Sequence, residues 1–390
     1  MHMKKRRAKP SVNPMTLGVG LLLAAVGVVT AVFTPSWTYG VDSANWTVDP
    51  NILLSDVSAP YAPNGIGSPS VVRDSKQNRL MMVFDYQSAV VNANCPGGVW
   101  GLGLATSLDG ASWSVIDGNS STSDGISPLY QPTPSDGTFR SCVTAHPSAL
   151  WTADSNKKSM RVYYKAQQGT DACNTAAPSW GCNQYTGVGD MKVSFKGNGG
   201  VESVAHTANL DLVISEEFGY PNVIQRASDD QYVMLVQKKI PNVKQWNLYQ
   251  TTSVSENSGW GSLALAQSSG PHSWNTSEVF SPDMMCMDDG SLMSFTGGRT
   301  LNASWAITEA GFSEATSVDD GATWTQDATR QFSWSGGNEW RHWTALRVAN
   351  SDDYLIWWTE KNATTGHLQI RRAYTTSSWS LSGLVDDRCL

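Results

Sequence analysis

Five residues at recurring positions of this chain carry side chains suited to proton transfer or to ligand binding. Each stands at the opening of an apolar stretch, and the five are Ser68, His146, Tyr220, Ser281 and His342. Imidazole and phenol groups can accept and donate protons, and serine hydroxyls can bind polar ligands. The first hypothesis is therefore a site assembled from the openings of repeated units.

The openings recur at intervals of roughly 60–80 residues, and each leads into a strand, a polar turn and a second strand. Four of them are x-Pro dipeptides, as in "GSPSVVRDSKQNRLMMVFDYQ", and the fifth is His342-Trp343-Thr344. A second hairpin follows each one, and in four of the five units it resumes near a Trp. Two hairpins make a four-stranded blade, and blades close into a ring. The sequence predicts an all-β, five-bladed β-propeller over residues 61–390.

The composition favours the same fold class. Charged residues make up only 16% of the chain, which also holds 34 Gly and 17 Trp. Such a composition suits many short strands joined by tight turns better than long amphipathic helices. The formal net charge of −7 argues against nucleic acid as a partner.

The N-terminal region predicts a membrane segment ahead of the propeller. Residues 1–15 form a basic cytoplasmic tail, residues 16–34 an uncharged apolar segment, and residues 35–60 a linker with a lead-in strand. An apolar run of this length can span a bilayer, and the preceding positive charges place the rest of the chain outside. A cleaved signal peptide has the same order of charges. Either alternative places the propeller in the periplasm or the extracellular space.

The six cysteines agree with an oxidising compartment. None forms a CxxC pair and no Cys/His group has zinc-ligand spacing, so disulfides are expected. Cys173 and Cys182 lie in one loop and are predicted to pair. Cys286, inside an apolar strand, also fits a buried thiol.

Two turns carry a recognisable pattern. "SVDDGATW", Ser317 to Trp324, resembles the Asp-box of sialidases, and "TSLDGASW" is a degenerate copy with Leu108 at the first Asp position. An Asp side chain in such a turn accepts backbone hydrogen bonds while the Trp packs beneath it. This pattern predicts a structural device at the blade edge.

The x-Pro openings resemble those of the five-bladed furanosidase superfamily, which contains glycoside hydrolase family 43. The resemblance implies a general base Asp at the first opening, a second Asp at the next, and a general acid Glu at the third. This chain has Ser68 and His146 at the first two positions, and Glu217 precedes Tyr220 with a shifted spacing. Because glycoside hydrolysis normally needs two carboxylates, Asp283 and Glu217 are the catalytic carboxylate candidates.

The remaining opening residues are assigned to substrate binding. The predicted binding residues are Ser68, Ser281, Arg341, His342, Trp340 and Trp343. No cofactor is predicted from the residues themselves, but the resemblance implies a central metal ion such as calcium at His342.

Three functions remain open from the sequence. The first is a membrane-anchored, glycoside hydrolase-like propeller that acts on or binds a glycan in the central funnel. The second is a non-catalytic scaffold or binding module of a membrane or surface complex. The third is a polysaccharide lyase, in which His146 and Tyr220 transfer protons while Arg341 neutralises a uronate. Two inward carboxylates would favour hydrolysis, whereas a funnel closed by aromatic side chains would favour the second alternative.

Overall fold

The computed structural model describes most of the chain between Tyr39 and Val385. The gaps in this range are residues 42–45, 91, 96, 119–125, 136–139, 153–158, 168–185, 207–212, 215–217, 227, 241–242, 244, 305, 335–341 and 363. The predicted membrane segment 16–34 and the Cys173–Cys182 pair lie outside the described residues. Within the described part, no helix has both the length and the apolar composition to cross a bilayer.

The described residues are all-β, as predicted, and their strands follow one another as antiparallel meanders. Two short strands come first: β1 (Tyr39–Val41) and β2 (Thr47–Val48). The first meander contains β3 (Ile66–Asp74), β4 (Arg79–Gln87), β5 (Trp100–Ser107) and β6 (Ser114–Ile116). The second contains β7 (Val143–Trp151), β8 (Ser159–Gln167), β9 (Thr186–Phe195) and β10 (Val201–His206), and β11 (Val213–Ile214) also pairs with β9.

The third and fourth meanders repeat this order. The third contains β12 (Phe218–Gln225), β13 (Tyr232–Lys239), β14 (Trp246–Ser253) and β15 (Ala264–Gln267), followed by a 3-10 helix (Ser273–Asn275). The fourth contains β16 (Glu278–Cys286), β17 (Leu292–Leu301), β18 (Ile307–Ser317) and β19 (Thr325–Gln326). The strand β20 (Phe332–Trp334) lies between β18 and β1.

The fifth meander combines strands from both ends of the described chain. It contains β21 (Trp343–Val348), β22 (Tyr354–Lys361) and β23 (Leu368–Tyr374), followed by a 3-10 helix (Leu381–Gly383) and β24 (Leu384–Val385). Its outer neighbour is β2, which pairs antiparallel with β23. The lead-in segment therefore completes the last meander.

Five hydrogen bonds join the first strands of the meanders in a closed circle, which we call the belt. In each bond, a side chain two positions after an opening residue accepts from a backbone N–H of the next meander. Ser70 accepts from Ala149 (2.9 Å), Ser148 from Val223 (3.0 Å), Asn222 from Met284 (2.8 Å), Asp283 from Ala345 (2.6 Å), and Thr344 from Val71 (3.3 Å). All five acceptors are buried. The last bond returns to the first meander and closes the ring.

Apolar side chains fill the spaces between neighbouring meanders. The fifth and first meanders, for example, share a cluster that contains Trp357 and Phe84, and the first and second share one with Met81 and Trp151. Each large side chain buried in this way contributes roughly 1.5–3 kcal/mol. A further cluster lies between the third and fourth meanders and contains Met284.

The two turns with the Asp-box pattern are built from serine and aspartate. In the fourth meander, Ser317 Oγ accepts from the Gly321 N–H (2.8 Å) and Asp319 from the Thr323 N–H (2.8 Å). Hydrogen bonds from the side chain and backbone of Thr323 hold the pKa of Asp319 below its ordinary value.

The equivalent turn of the first meander is one residue shorter. Ser107 accepts from the Gly110 N–H (2.8 Å) and Asp109 from the Ser112 N–H (2.6 Å). The predicted alignment, which put Leu108 at the Asp position, is therefore wrong by one residue, and Leu108 is exposed. The relation of these turns to sialidases stays a prediction.

One disulfide lies wholly within the described residues and joins Cys95 to Cys142. Cys286 is also disulfide-bonded, so its interpretation as a free buried thiol is wrong. The presence of disulfides is consistent with an oxidising compartment.

The belt generates a prediction about stability. Replacement of Asp283 by Ala leaves the buried Ala345 N–H and the Asn222 amide without their acceptor, so we expect the free energy of unfolding to fall by about 2–4 kcal/mol. Asp283→Asn keeps one acceptor oxygen, so its free energy of unfolding should fall by less. Asp352→Ala, at an exposed position, is the matched control. Equal denaturation midpoints for all three variants would show that the belt does not hold the ring.

The disulfide generates a second prediction. Cys95 and Cys142 are 47 residues apart, and a closed loop of this length stabilises by up to about 4 kcal/mol in the chain-entropy account. The double variant Cys95→Ala, Cys142→Ala should therefore unfold at a clearly lower denaturant concentration. An unchanged midpoint would contradict a stabilising role. Because this variant leaves the other cysteines intact, it separates this bond better than chemical reduction does.

Candidate functional site

The backbone at four of the five openings is bent in the same way. Ser68, His146, Tyr220 and Ser281 have φ values of 45°, 52°, 52° and 49°. Each residue lies at a break in strand register, for example between Gly67 and Ser70 on β3. Residues other than glycine rarely occupy this left-handed region and do so at a cost of about 1–3 kcal/mol. The repeated bulge lets the opening side chain face the neighbouring meander instead of its own sheet.

The five opening residues come together, as the sequence analysis predicts, and we call them the floor. Ser68 Oγ shares a hydrogen bond of 2.9 Å with His146 Nδ1. Ser281 Oγ shares one of the same length with His342 Nδ1. The floor thus contains two Ser–His pairs, each between neighbouring meanders, and Tyr220 lies between the pairs.

The three ring-bearing residues of the floor stack closely. The ring centroids of His146 and Tyr220 are 4.2 Å apart. His342 lies 5.9 Å from His146 and 6.0 Å from Tyr220, with nearly parallel planes in both cases. The Ser68, Tyr220, Ser281 and His342 residues are buried, whereas the His146 side chain keeps 13% exposure. His146 is therefore the floor residue that a ligand could reach most directly.

The carboxylate nearest to the floor was missed by the sequence analysis. Asp85 on β4 accepts a hydrogen bond from the His146 backbone N–H (3.1 Å), and its Oδ2 lies 3.7 Å from His146 Nδ1. The residue lies opposite Gly67 in the first hairpin. Strand alternation could have placed it near the opening, but its partner on the second meander has no signal in the sequence.

Asp283 lies one layer below the floor, in the belt. Its Oδ1 accepts from the Asn222 side chain (3.1 Å) and its Oδ2 from the Ala345 N–H. The residue is 2% exposed. Both oxygens are thus occupied by structural hydrogen bonds, and this placement favours a structural role over the predicted catalytic one.

Two other buried acids are also paired. Glu278 at the start of β16 accepts from Gln237 (2.8 Å) and contacts Arg299 (3.4 Å). Asp190 on β9 is bound by Arg161 at 2.7 Å. These buried pairs hold strands together and leave little of either carboxylate for a ligand.

The remaining predicted site residues separate into two groups. Trp343 is fully buried, donates to the Phe295 carbonyl (3.1 Å) and packs in the core cluster shared by the fourth and fifth meanders. Glu217, Trp340 and Arg341 lie outside the described residues. Thr359, not predicted, supports the floor, because its hydroxyl accepts from the Ser68 N–H (2.6 Å).

The residues around His342 do not fit the implied calcium ion. Calcium takes six to eight oxygen ligands, whereas Nδ1 of His342 is engaged with Ser281. Among the described residues, no three His, Cys, Asp or Glu side chains are placed to hold a metal ion together.

Comparisons with known proteins connect this chain to others by fold only. No family model matches the sequence. No curated protein matches it either. Solved structures do match: β-1,2-mannobiose phosphorylase from Listeria innocua, in complex with β-1,2-mannobiose, has a TM-score of 0.59 at 10% identity, over 85% of this chain and 96% of that one.

Two further matches have similar values. An α-L-arabinofuranosidase from Lactobacillus brevis has a TM-score of 0.53 at 9% identity, over 78% of this chain and 90% of that one. A thermostable family-43 glycoside hydrolase has a TM-score of 0.50 at 12% identity, over 81% and 90%. At such identities the likeness shows the fold, which is the propeller-like fold of glycoside hydrolases.

Proposed function

We propose that this chain is an exported five-bladed β-propeller, anchored by residues 16–34, that binds a glycan at its central funnel. Each meander is one blade, and the belt closes the ring of five. The Cys95–Cys142 disulfide supports export, and the basic tail before an apolar run supports the anchor. If the protein were recovered from the medium with residues 16–34 removed, this result would contradict the anchor.

The composition of the floor carries the proposal of binding without two-carboxylate hydrolysis. Its five residues are Ser, His, Tyr, Ser and His, and three stacked rings close it. The nearest carboxylates, Asp85 and Asp283, accept buried backbone hydrogen bonds. A glycosidase needs one carboxyl group that donates a proton and a second that attacks or activates water, and the described floor offers neither.

The choice of a glycan as ligand rests on the fold and on the chemistry of the funnel wall. The solved structures of similar fold include proteins that act on mannobiose and arabinofuranosides. The strand register places Lys165, on the second strand of the second blade, opposite Ala145 and so next to the opening residue His146. An aromatic base with polar groups around it suits a sugar ring, which has apolar faces and hydroxyl edges.

A binding assay tests this proposal. Residues 41–390 would be titrated with a panel of soluble polysaccharides, and the best ligand would be measured with floor variants. We expect His146→Ala and Tyr220→Ala each to weaken binding at least tenfold, because they remove the most accessible side chain of the floor and the aromatic ring that contacts it. His367→Ala is the matched control, since that residue pairs with Asp56 on the fifth meander. Equal affinities for all variants, or no binding by the folded protein, would refute the proposal.

Elimination is the second candidate, and the close contact of His146 with Tyr220 favours it. In this reaction a base removes the C5 proton of a uronate, the C4–O bond breaks, a C4=C5 double bond forms, and an acid protonates the leaving oxygen. The two floor residues would be base and acid, and Arg341 the partner of the uronate carboxylate. The unsaturated product would be measured by its absorbance at about 235 nm. Its appearance with the unchanged protein and its loss in Tyr220→Phe would favour elimination over binding alone.

Hydrolysis is the third candidate, because the family resemblance implies a general acid at the third opening, where Glu217 precedes Tyr220. Reducing ends released without the unsaturated product would indicate hydrolysis. If that activity survives Asp283→Asn but disappears in Glu217→Gln, Glu217 is a catalytic carboxylate and binding alone is the wrong function. If no activity is seen while the polysaccharide still binds, the proposed function stands.

A further inference from the structure

A second group of polar side chains lies between the first and second meanders, and we call it the cleft. Tyr130 is held beside β5 by hydrogen bonds between its backbone and that of Leu102. Arg140 lies just before β7, Tyr164 on β8, and His206 at the end of β10. The cleft consists of Tyr130, Arg140, Tyr164 and His206, and it shares no residue with the floor.

The side chains of the cleft contact one another closely. The rings of Tyr130 and His206 have centroids 4.3 Å apart. The Tyr164 hydroxyl lies 3.4 Å from His206 Nδ1. The Arg140 guanidinium interacts electrostatically with the hydroxyls of Tyr130 and Tyr164, and its carbon lies 5.9 Å from the Tyr130 ring centroid.

One cleft residue is fully buried, and the other three are partly accessible to solvent. Tyr164 is fully buried, and its ring lies over Gly189 of the next strand, where an added Cβ would come within 2.5 Å of the ring. The other three cleft residues are half-buried. Part of each of these three residues is therefore accessible to solvent.

The cleft residues differ in their charge near pH 7. Burial, together with the neighbouring Arg140 charge, lowers the pKa of His206 to about 4. Its imidazole is therefore neutral near pH 7, where Arg140 is the one charged group among the four. A neutral imidazole can both donate and accept hydrogen bonds, and tyrosine hydroxyls can do the same.

We propose that the cleft is a second ligand site, which binds a sugar that carries a carboxylate, such as a uronate unit. The guanidinium fork matches the two oxygens of a carboxylate. The imidazole and the hydroxyls can bind sugar hydroxyls, and the Tyr130 ring offers an apolar face to the sugar ring. This site does not depend on the function proposed for the funnel.

NMR titrations at pH 7 with three probes test the proposal. D-Glucuronate is the acidic sugar, glucose its neutral counterpart, and acetate a carboxylate without a sugar ring. We expect glucuronate to bind at least tenfold more tightly than either of the others, with the largest shifts at the cleft. Equal affinity for glucose would refute the role of the carboxylate, and equal affinity for acetate would refute the role of the sugar. Absence of glucuronate binding would refute both.

Variants locate the binding. Arg140→Gln should weaken glucuronate binding at least tenfold, and Arg140→Lys, which keeps the charge but loses the fork, should weaken it by less. Arg330→Gln is the matched control, because Arg330 pairs with Glu309 in the fourth meander at 3.6 Å. The melting temperature of each variant separates lost binding from lost folding. Unchanged binding in folded Arg140→Gln would overturn the proposal.

The funnel variant His146→Ala distinguishes this site from the funnel. If the cleft is a separate site, His146→Ala keeps its affinity for glucuronate. If His146→Ala loses that affinity while Arg140→Gln keeps it, the acidic sugar binds in the funnel and the cleft proposal is wrong.

Discussion

The belt is the interaction on which the rest of the structure depends. Its acceptors stand two residues after each opening, so one tripeptide both faces the axis and binds the next meander. At the second opening, for example, His146 belongs to the floor and Ser148 to the belt. The fifth tripeptide, His342-Trp343-Thr344, has no proline, yet it keeps both functions. In each tripeptide the first residue belongs to the floor and the third to the belt. Closure of the ring and assembly of the floor are therefore a single event.

The repeat made the fold and the floor predictable, because an opening residue in each unit must lie near a common axis once the units form a ring. What the sequence could not supply was the partner of each side chain. Asp283 had the residue type of a catalyst, but its bonds to Asn222 and Ala345 cross to two other meanders. The sequence analysis predicted that Trp343 meets a ligand. Instead, its ring occupies a core position beside Gly297, where an added Cβ would come within 2.1 Å of the ring. Both depend on contacts distant in sequence.

The floor also shows how neighbouring opening residues can pair with each other at positions where the resemblance implies carboxylates. The resemblance implies an Asp at the positions of Ser68 and His146, and two ionised groups so close would repel each other unless one took a proton or a cation lay between them. Here the serine hydroxyl and the imidazole satisfy each other at 2.9 Å. A second pair does the same at Ser281 and His342. The two Ser–His pairs therefore form without a ligand between their members.

The two proposed sites differ in the kind of sugar that each can select. None of the five floor residues carries a permanent charge, whereas the cleft is centred on Arg140. The chain as a whole has a formal net charge of −7, which disfavours the approach of an anion at long range. An acidic sugar must therefore be held by short-range contacts in a partly buried setting, where a charge pair is stronger than in water. The half-buried Arg140 meets that requirement, whereas the five floor residues supply no permanent charge, so the proposed preference for an acidic sugar is assigned to the cleft.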